Sequence, residues 1–370
     1  MRVVLAGGGT AGHINPALAI AQAIKAKQPD SEILFVGNCN SLEETLVKRA
    51  GFDIKFIKIQ GFHRKKLYKN FTTLRLLMSS IKEAKRILRE FAPDVVVGTG
   101  GYVSGPVLLA ACSLKLHTCI HEQNAYPGMT SQMLARRVEK VFISFESSSK
   151  YFSHKDKLVL TGNPLRCEFK ALDRAQSRKE LGLRDEDFYV LSFGGSLGAQ
   201  AINRAMISVM ETDKQSKEFV HCHGMGRLGS SWMPAQLEQK GITTGEVGGR
   251  FRVLDYIHDM PRQMAAADAV IARAGAITIG ELLAQGKPSI LIPSPNVTHN
   301  HQYYNAKALA DRGAAIMIEE KDLSPEGLYE TLLALKQDES HRSALSEAAL
   351  KMALATAADD IADHIVTKLC

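Results

Sequence analysis

Apolar residues in this chain come in short unbroken runs, separated by longer stretches where they recur every three or four positions. The first half carries runs at Val3–Ala6, Ile33–Val36, Ile54–Ile59, Val95–Val97, Thr118–Ile120 and Val141–Ile143. The second half carries them at Tyr189–Phe193, Phe219–His221, Arg252–Leu254, Ala269–Ala272, Ser289–Ile292 and Ala315–Ile318. Unbroken runs mark parallel strands covered on both faces. Ile54–Ile59 is interrupted by Lys55 and Lys58 and reads as an edge strand. The stretches between read as helices. Asn15 suits an N-cap with Pro16 at the first helical position, and Ala17, Ile20, Ala21 and Ile24 line one face. Such alternation predicts an α/β fold of doubly wound parallel sheets, whose ligands sit at the carboxyl ends of strands.

A chain of 370 residues exceeds one ordinary core, so two domains are expected. The division is placed near Thr161–Pro164, giving a first domain over 1–163 and a second over 164–355. The remaining helix, about 356–370 with Ile361 and Ile365, is expected to return to the first domain.

Each half opens a strand into glycines. Gly7, Gly9 and Gly12 satisfy G-x-G-x-x-G between the first strand and the first helix, and Gly194-Gly195-Ser196-Leu197-Gly198-Ala199 does similar work half-way along. Such junctions expose backbone N–H groups at a helix N-terminus, where an anion is stabilised. Two of them suggest two lobes separated by a cleft, each with a place for phosphate. A dinucleotide site also wants an acid at the end of the second strand; that strand ends Val36-Gly37-Asn38-Cys39, without one.

His13 follows the first loop directly. It either packs on the first turn or serves as a base, kept neutral by the positive end of its helix. Gly98-Thr99-Gly100-Gly101-Tyr102-Val103-Ser104-Gly105-Pro106 is a further anion cradle, and four glycines in eight residues suggest close backbone approach to a ligand. His121-Glu122-Gln123-Asn124 ends a strand; its polar tips either face a ligand or cap the next helix. In the second half, Ser196 adds a hydroxyl donor to its loop. Glu281 either complements a helix dipole or accepts the hydroxyls of a ribose. His299-Asn300-His301-Gln302 offers polar tips near the end of another strand.

The charge of +7 and pI near 9.0 suit an anionic partner, whether nucleic acid, lipid or phosphorylated substrate. Six scattered cysteines without a CxxC pair read as reduced thiols of a cytosolic protein. Met1-Arg2 running directly into a strand reads as no secretory signal, and no run approaches the ~18 apolar residues of a spanning helix. Asp185-Glu186-Asp187 matches D-x-D but lies in a charged turn, and His221-Cys222-His223 lacks further ligands nearby, so no metal is expected. Over 61–91, Arg64, Lys65, Lys66, Lys69, Arg75, Lys82, Lys85, Arg86 and Arg89 interleave with Leu67, Phe71, Leu74, Leu77, Met78 and Ile81. That pattern suits an anionic membrane surface, with an ordinary solvated basic helix as the plain alternative. Stacking aromatics are too sparse there for nucleic acid.

Taken in order, Gly8–His13, Gly100–Pro106, His121–Asn124, Gly162-Asn163-Pro164-Leu165-Arg166, Gly194–Ala199 and Arg273–Glu281 closely resemble the MurG family of glycosyltransferase family 28. The resemblance spans essentially the whole chain. It implies a GT-B fold of two Rossmann-like domains. It implies inverting transfer of N-acetylglucosamine from UDP-N-acetylglucosamine (UDP-GlcNAc), a substrate rather than a cofactor, to the C4 hydroxyl of the muramoyl sugar of lipid I, forming lipid II. It assigns Ser196 to the diphosphate, Ile257 to the uracil, Ala276, Ile277 and Thr278 to the nucleotide, Glu281 to the ribose, Gln302 to the sugar and Arg166 to the uridine diphosphate. Thr10, Ala11, Gly12 and Asn124 close on the donor sugar, while Gly8, Gly9, Gly100, Gly101 and Ser104 cradle the acceptor pyrophosphate. His13 is then the base, with Tyr102 and Glu122 as catalytic helpers. Ala11 stands where many relatives have glycine, and His301 where some have glutamine. The resemblance also implies a peripheral place on the cytoplasmic face of the bacterial cell membrane, beside proteins of cell-wall synthesis and division. The rival readings are another UDP-sugar enzyme such as a UDP-GlcNAc 2-epimerase, a nucleotide-dependent oxidoreductase, and a non-catalytic sensor of UDP-sugars.

Overall fold

The computed structural model describes residues 1–60, 70–165, 169, 172–245 and 249–368. They form two compact units, Met1–Arg166 with Leu354–Cys370, and Cys167–Ala353.

In the first unit, strands β1 (Arg2–Gly7), β2 (Glu32–Gly37), β3 (Asp53–Phe56), β4 (Val95–Gly100), β5 (His117–Glu122), β6 (Lys140–Ile143) and β7 (Leu158–Leu160) form one sheet. Its order is β3-β2-β1-β4-β5-β6-β7, with every pairing parallel. Parity along β1 splits the core into two layers. Val3 and Leu5 pack with Val95, Val97 and helix α1 (Ala11–Lys27), whereas Val4 and Ala6 pack with Val96 and helix α4 (Gly101–Ser113). Both faces are therefore dry, as the unbroken apolar runs require. β3 is an edge strand whose residues alternate between exposed and half-buried, in keeping with Lys55.

Two expectations are corrected. Three-residue β7, half-buried at best and following Lys155-Asp156-Lys157, carries no sequence signal of a strand; pairing with β6 creates it. And α1 begins at Ala11 with Thr10 as N-cap, so Pro16 sits inside the helix rather than at its start. A proline there has no N–H for the Gly12 carbonyl, which leaves the first turns loosely tied. Helix α14 (Ala357–Lys368) lies against α1, burying Ile361, Ala362 and Ile365 completely and pairing Asp363 with Lys27. Burial of each isoleucine contributes about 1.5–3 kcal/mol.

The second unit holds β8 (Tyr189–Phe193), β9 (Val220–Gly224), β10 (Phe251–Leu254), β11 (Ala269–Ala272), β12 (Ser289–Leu291) and β13 (Ile316–Met317). They run parallel in the order β10-β9-β8-β11-β12-β13. Both sheets reverse their winding once, between β1 and β4 and between β8 and β11. At such a point neighbouring strands send their chains to opposite faces, and a crevice opens above their carboxyl ends. The glycine loops expected from the sequence fall at these two reversals.

Candidate active site

In the first unit the loops after β1 and β4 interlock. Gly100 and Gly101 hold φ of +100° and +77°, and a Cβ on Gly101 would lie 2.1 Å from the Gly8 carbonyl oxygen. The His13 ring packs on this glycine pair: a Cβ on Gly100 would stand 2.7 Å from its Cδ2. Nδ1 of His13 lies 3.2 Å from the Gly8 carbonyl and 3.2 Å from the Thr10 hydroxyl. A carbonyl only accepts, so Nδ1 carries the hydrogen and Nε2 the lone pair. Thr99 Oγ1 donates to the His13 carbonyl at 2.7 Å, tying the end of β4 to the first turn of α1. The Tyr102 ring covers Gly9, whose φ is +87°. His13, Thr10, Gly8, Gly9, Gly100, Gly101 and Tyr102 are thus one cluster. Thr10 and Ala11 are exposed and Gly12 half-buried beside it. Neither α1 nor α4 has an acid in its first turn.

Two residues expected at this site have other work. Ser104 is completely buried, and its hydroxyl lies on the carbonyls of Ala6 and Gly100 while accepting the Gly100 N–H at 3.0 Å. It braces the junction and presents nothing to a pyrophosphate. Glu122 is 3% exposed; Oε1 accepts the Asn124 backbone N–H at 2.9 Å and its side-chain amide at 3.1 Å, and Oε2 accepts the Gly128 N–H at 3.0 Å. Gly128 is the N-cap of helix α5 (Met129–Leu134), so the capping alternative describes this carboxylate. It acts by aiming the half-buried Asn124.

The sequence reading named Gln123 only as part of His121–Asn124 and passed over Glu43. Buried Gln123 donates to the Thr99 carbonyl at 2.7 Å, and a Cβ on Gly100 would meet its Oε1 at 3.5 Å. Glu43, near the start of helix α2 (Leu42–Arg49), is 1% exposed and turns its carboxylate onto the first glycine loop. An acid followed by an apolar stripe was the only available signal, and it also describes any capped helix.

Beneath these loops, His121 is fully buried between the Gly162 carbonyl (2.9 Å) and the Gln123 amide (2.9 Å). Burial pushes its pKa down to about 4, partly offset by the Gly162 hydrogen bond. In the second unit, His223 on β9 bonds Ser192 at 2.8 Å and the Asn203 amide oxygen at 3.2 Å, and burial pushes it to about 3. The His221-Cys222-His223 run is therefore core, its histidines on one face of the sheet and its cysteine on the other. Among the described residues no group of three or more His, Cys, Asp or Glu is arranged to hold a metal.

Both histidines are neutral when folded and take up protons when unfolded. Their contribution is complete above the unfolded pKa near 6.5 and is lost as pH falls toward 4 and 3. The urea midpoint is expected to hold steady from about pH 8 to 7 and to decline below about 6.5. A flat profile down to about pH 5 contradicts this assignment.

In the second unit, Gly195 and Gly198 have φ of +84° and +83°, and Ser196 is exposed at the tip between them. The loop leans on the turn after β9, since a Cβ on Gly198 would lie 2.1 Å from the Met225 carbonyl. Asn203 of helix α7 (Gln200–Ser216) holds that carbonyl at 2.8 Å. After β11, Gly275 caps helix α10 (Ala276–Ala284), which places buried Ala276 and half-buried Ile277, Thr278 and Glu281 in its first two turns. Neither α7 nor α10 has an acid in its first turn. After β12, His299 and Asn300 both take left-handed φ of 52°. Such strain, about 1–2 kcal/mol each, persists only where surroundings enforce it and clusters at ligand sites. They lead into helix α11 (His301–Ala310), where Gln302 accepts the Ser294 N–H at 2.9 Å through Oε1. Ile257 is buried after β10 against Gly224. Ser196, Ile257, Ala276–Glu281 and Gln302 thus all follow carboxyl ends of strands in one sheet. Arg166 lies outside the described residues.

Two doubly wound parallel-sheet units, each with a crevice and acid-free helix starts at its winding reversal, have the GT-B architecture, which glycosyltransferases share with other enzymes of nucleotide sugars. The model of the glycosyltransferase family 28 N-terminal domain matches residues 3–143, and that of the family's C-terminal domain matches 189–365. A UDP-N-acetylglucosamine--N-acetylmuramyl-(pentapeptide) pyrophosphoryl-undecaprenol N-acetylglucosamine transferase of Acetivibrio thermocellus is 44% identical over 366 residues, covering 99% of this chain and 97% of its own. The chain belongs to this transferase family, the MurG family. The crystal structure of Acinetobacter baumannii MurG superposes with a TM-score of 0.75 at 28% identity, covering 99% of both chains. A UDP-GlcNAc 2-epimerase of Neisseria meningitidis bound to UDP-GlcNAc reaches a TM-score of 0.70 over 100% of both chains, but at 13% identity it shares the fold alone.

Proposed function

We propose that this protein transfers N-acetylglucosamine from UDP-GlcNAc to the C4 hydroxyl of the muramoyl sugar in undecaprenyl-pyrophosphoryl-linked lipid I, forming lipid II. Full-length identity of 44% to a transferase of that name carries the reading. The donor occupies the crevice of the second unit. Its diphosphate meets Ser196 and the loop N–H groups; the nucleoside meets Ile257, Ala276, Ile277, Thr278 and Glu281, and Gln302 donates its amide to the sugar. The lipid pyrophosphate takes the first unit's crevice at Gly8, Gly9, Gly100 and Gly101, without Ser104. Nε2 of His13 removes the C4 proton while that oxygen bonds to the anomeric carbon. The bond from this carbon to the UDP oxygen breaks on the opposite face, its electron pair leaving with UDP, and the α donor yields a β product. Helix N-termini stabilise the departing charge, and Tyr102 and Asn124 border the reacting sugars. Incubating the protein with radiolabelled UDP-GlcNAc and a lipid I analogue tests the whole: label is expected in lipid, and none there refutes it.

The acceptor is lipid-borne, and we place the first unit on an anionic membrane surface at the cytoplasmic face. On helix α3 (Asn70–Phe91), Arg75, Met78, Lys82, Arg86 and Arg89 are exposed and share one stripe. The basic residues at 64, 65, 66 and 69, and the side chains of Phe71 and Leu74, lie outside the described portion. No helix among the described residues is long and apolar enough to cross a membrane. Each surface cation near an anionic bilayer contributes about 1 kcal/mol, so Lys82→Glu or Arg89→Glu is expected to weaken binding to phosphatidylserine vesicles by at least about fivefold at low salt. Equal binding by variants and parent assigns attachment elsewhere.

A further inference from the structure

Glu43 carries no role in the reading above, yet its carboxylate is spent on the glycine loop. Oε2 accepts the Gly9 N–H at 3.4 Å and Oε1 the Asn38 N–H at 3.2 Å. The side chain fills the space beside two glycines: a Cβ on Gly8 would lie 2.6 Å from Oε1, and one on Gly37 2.9 Å from its Cγ. The Gly9 N–H and the Gly8 carbonyl belong to the same peptide group, and that carbonyl accepts Nδ1–H of His13 at 3.2 Å. One planar amide therefore joins a buried carboxylate to the imidazole. A hydrogen bond to the N–H of a peptide group increases the electron density on its carbonyl oxygen, so bonds in such chains strengthen one another.

We infer that Glu43 is a positioning residue of the transfer reaction, acting on His13 through the Gly8–Gly9 peptide. The relay orders three things at once. It stops the peptide from turning over, because a flipped amide would place its carbonyl against the carboxylate. It holds the hydrogen of His13 on Nδ1, which leaves Nε2 as the proton acceptor. And when the C4 proton reaches Nε2, the new imidazolium charge meets a carbonyl backed by a carboxylate. Only 1% exposed, Glu43 acts through the peptide rather than by contact with substrate.

The catalytic part of this inference rests on His13 being the base; the tautomeric part does not. The test uses the full chain labelled with 15N in histidine. In the parent protein, long-range 1H–15N spectra are expected to show His13 as the Nδ1–H tautomer, and an Nε2–H tautomer overturns the relay without any variant having to fold. In Glu43→Gln the new amide cannot accept both backbone N–H groups. Expected are a mixture of His13 tautomers, kcat lower by about tenfold and an unchanged KM for UDP-GlcNAc. A Glu43→Gln protein with the parent's kcat and tautomer refutes the proposal, as does a rise in donor KM with kcat unchanged. If His13→Ala keeps full activity, the base assignment fails, while the parent spectrum still judges the relay.

Discussion

Replacing His13 by alanine is expected to lower kcat for N-acetylglucosamine transfer by about 10²–10⁴-fold, the usual worth of a positioned general base. The dissociation constant for UDP-GlcNAc should stay at the parent value. The reason lies in the division of labour. His13 stands on the first unit, its ring seated on Gly100 and Gly101 and its Nδ1 held by Gly8, whereas the positions proposed for the uridine diphosphate belong to the second unit. Residual activity should persist, because the helix N-termini that stabilise departing UDP are untouched. The alanine keeps the main-chain bond of residue 13 to the Thr10 carbonyl but removes the Nδ1–H donor of the buried Gly8 carbonyl. Stability should therefore fall by about 1–2 kcal/mol, the cost of leaving one acceptor unmatched. Steady-state transfer rates, titration calorimetry of UDP-GlcNAc and a thermal melt check these points. A parent-like kcat removes His13 from the chemistry, and lost donor binding with a parent-like kcat at saturation makes it a binding residue instead.

Gly101→Ala should be the most damaging single methyl group at this site. Its Cβ would lie 2.1 Å from the Gly8 carbonyl oxygen and 3.2 Å from Nδ1 of His13, on a backbone with φ of +77°. The first contact is with backbone, which cannot rotate away, so the loops after β1 and β4 must separate. Clash and conformational strain together are expected to cost about 2–4 kcal/mol, or roughly 5–15 °C in melting temperature for a unit of this size. Transfer should fall as well, because the methyl group pushes on the surface that orients the imidazole. Gly51→Ala is the matched control: φ is +80° but nothing lies within 4 Å of its Cβ. It pays the conformational term alone, about 1 kcal/mol, and should retain activity. Differential scanning calorimetry of both variants separates clash from backbone preference. Equal melting temperatures would show that the two loops yield without cost.

Long strands were legible because burial on both faces leaves an unmistakable apolar run, as in β1, β4 and β8. β7 was not, because two half-buried residues and an exposed leucine become a strand only by pairing with β6. Pro16 misled through a sound local rule: it suits a first helical turn, but Thr10 caps α1 five residues before the expected Asn15. The cluster around His13 could be read from glycines placed after strands. The tasks of its neighbours could not. Ser104, Glu122 and Gln123 look alike as polar residues near strand ends, yet Ser104 braces β1 against α4, Glu122 caps α5 and Gln123 joins β5 to β4. His221-Cys222-His223 resembled a partial metal set until strand parity buried it.

Periodicity and glycine placement, then, belong to the chain alone: alternating strands and helices, two reversals of winding marked by glycine loops, and an imidazole one residue beyond the first. They are local properties, set by side-chain burial and by the steric limits on φ. Which polar atoms stay available to a substrate was decided only by the folded arrangement. A buried donor or acceptor must find a partner, and here the partners come from far along the chain: Glu43 reaches Gly9 across 34 positions, and Ser104 reaches Ala6 across 98. Folding assigns those pairs, and with them which atoms of the glycine loops are held in place and which polar tips face outward.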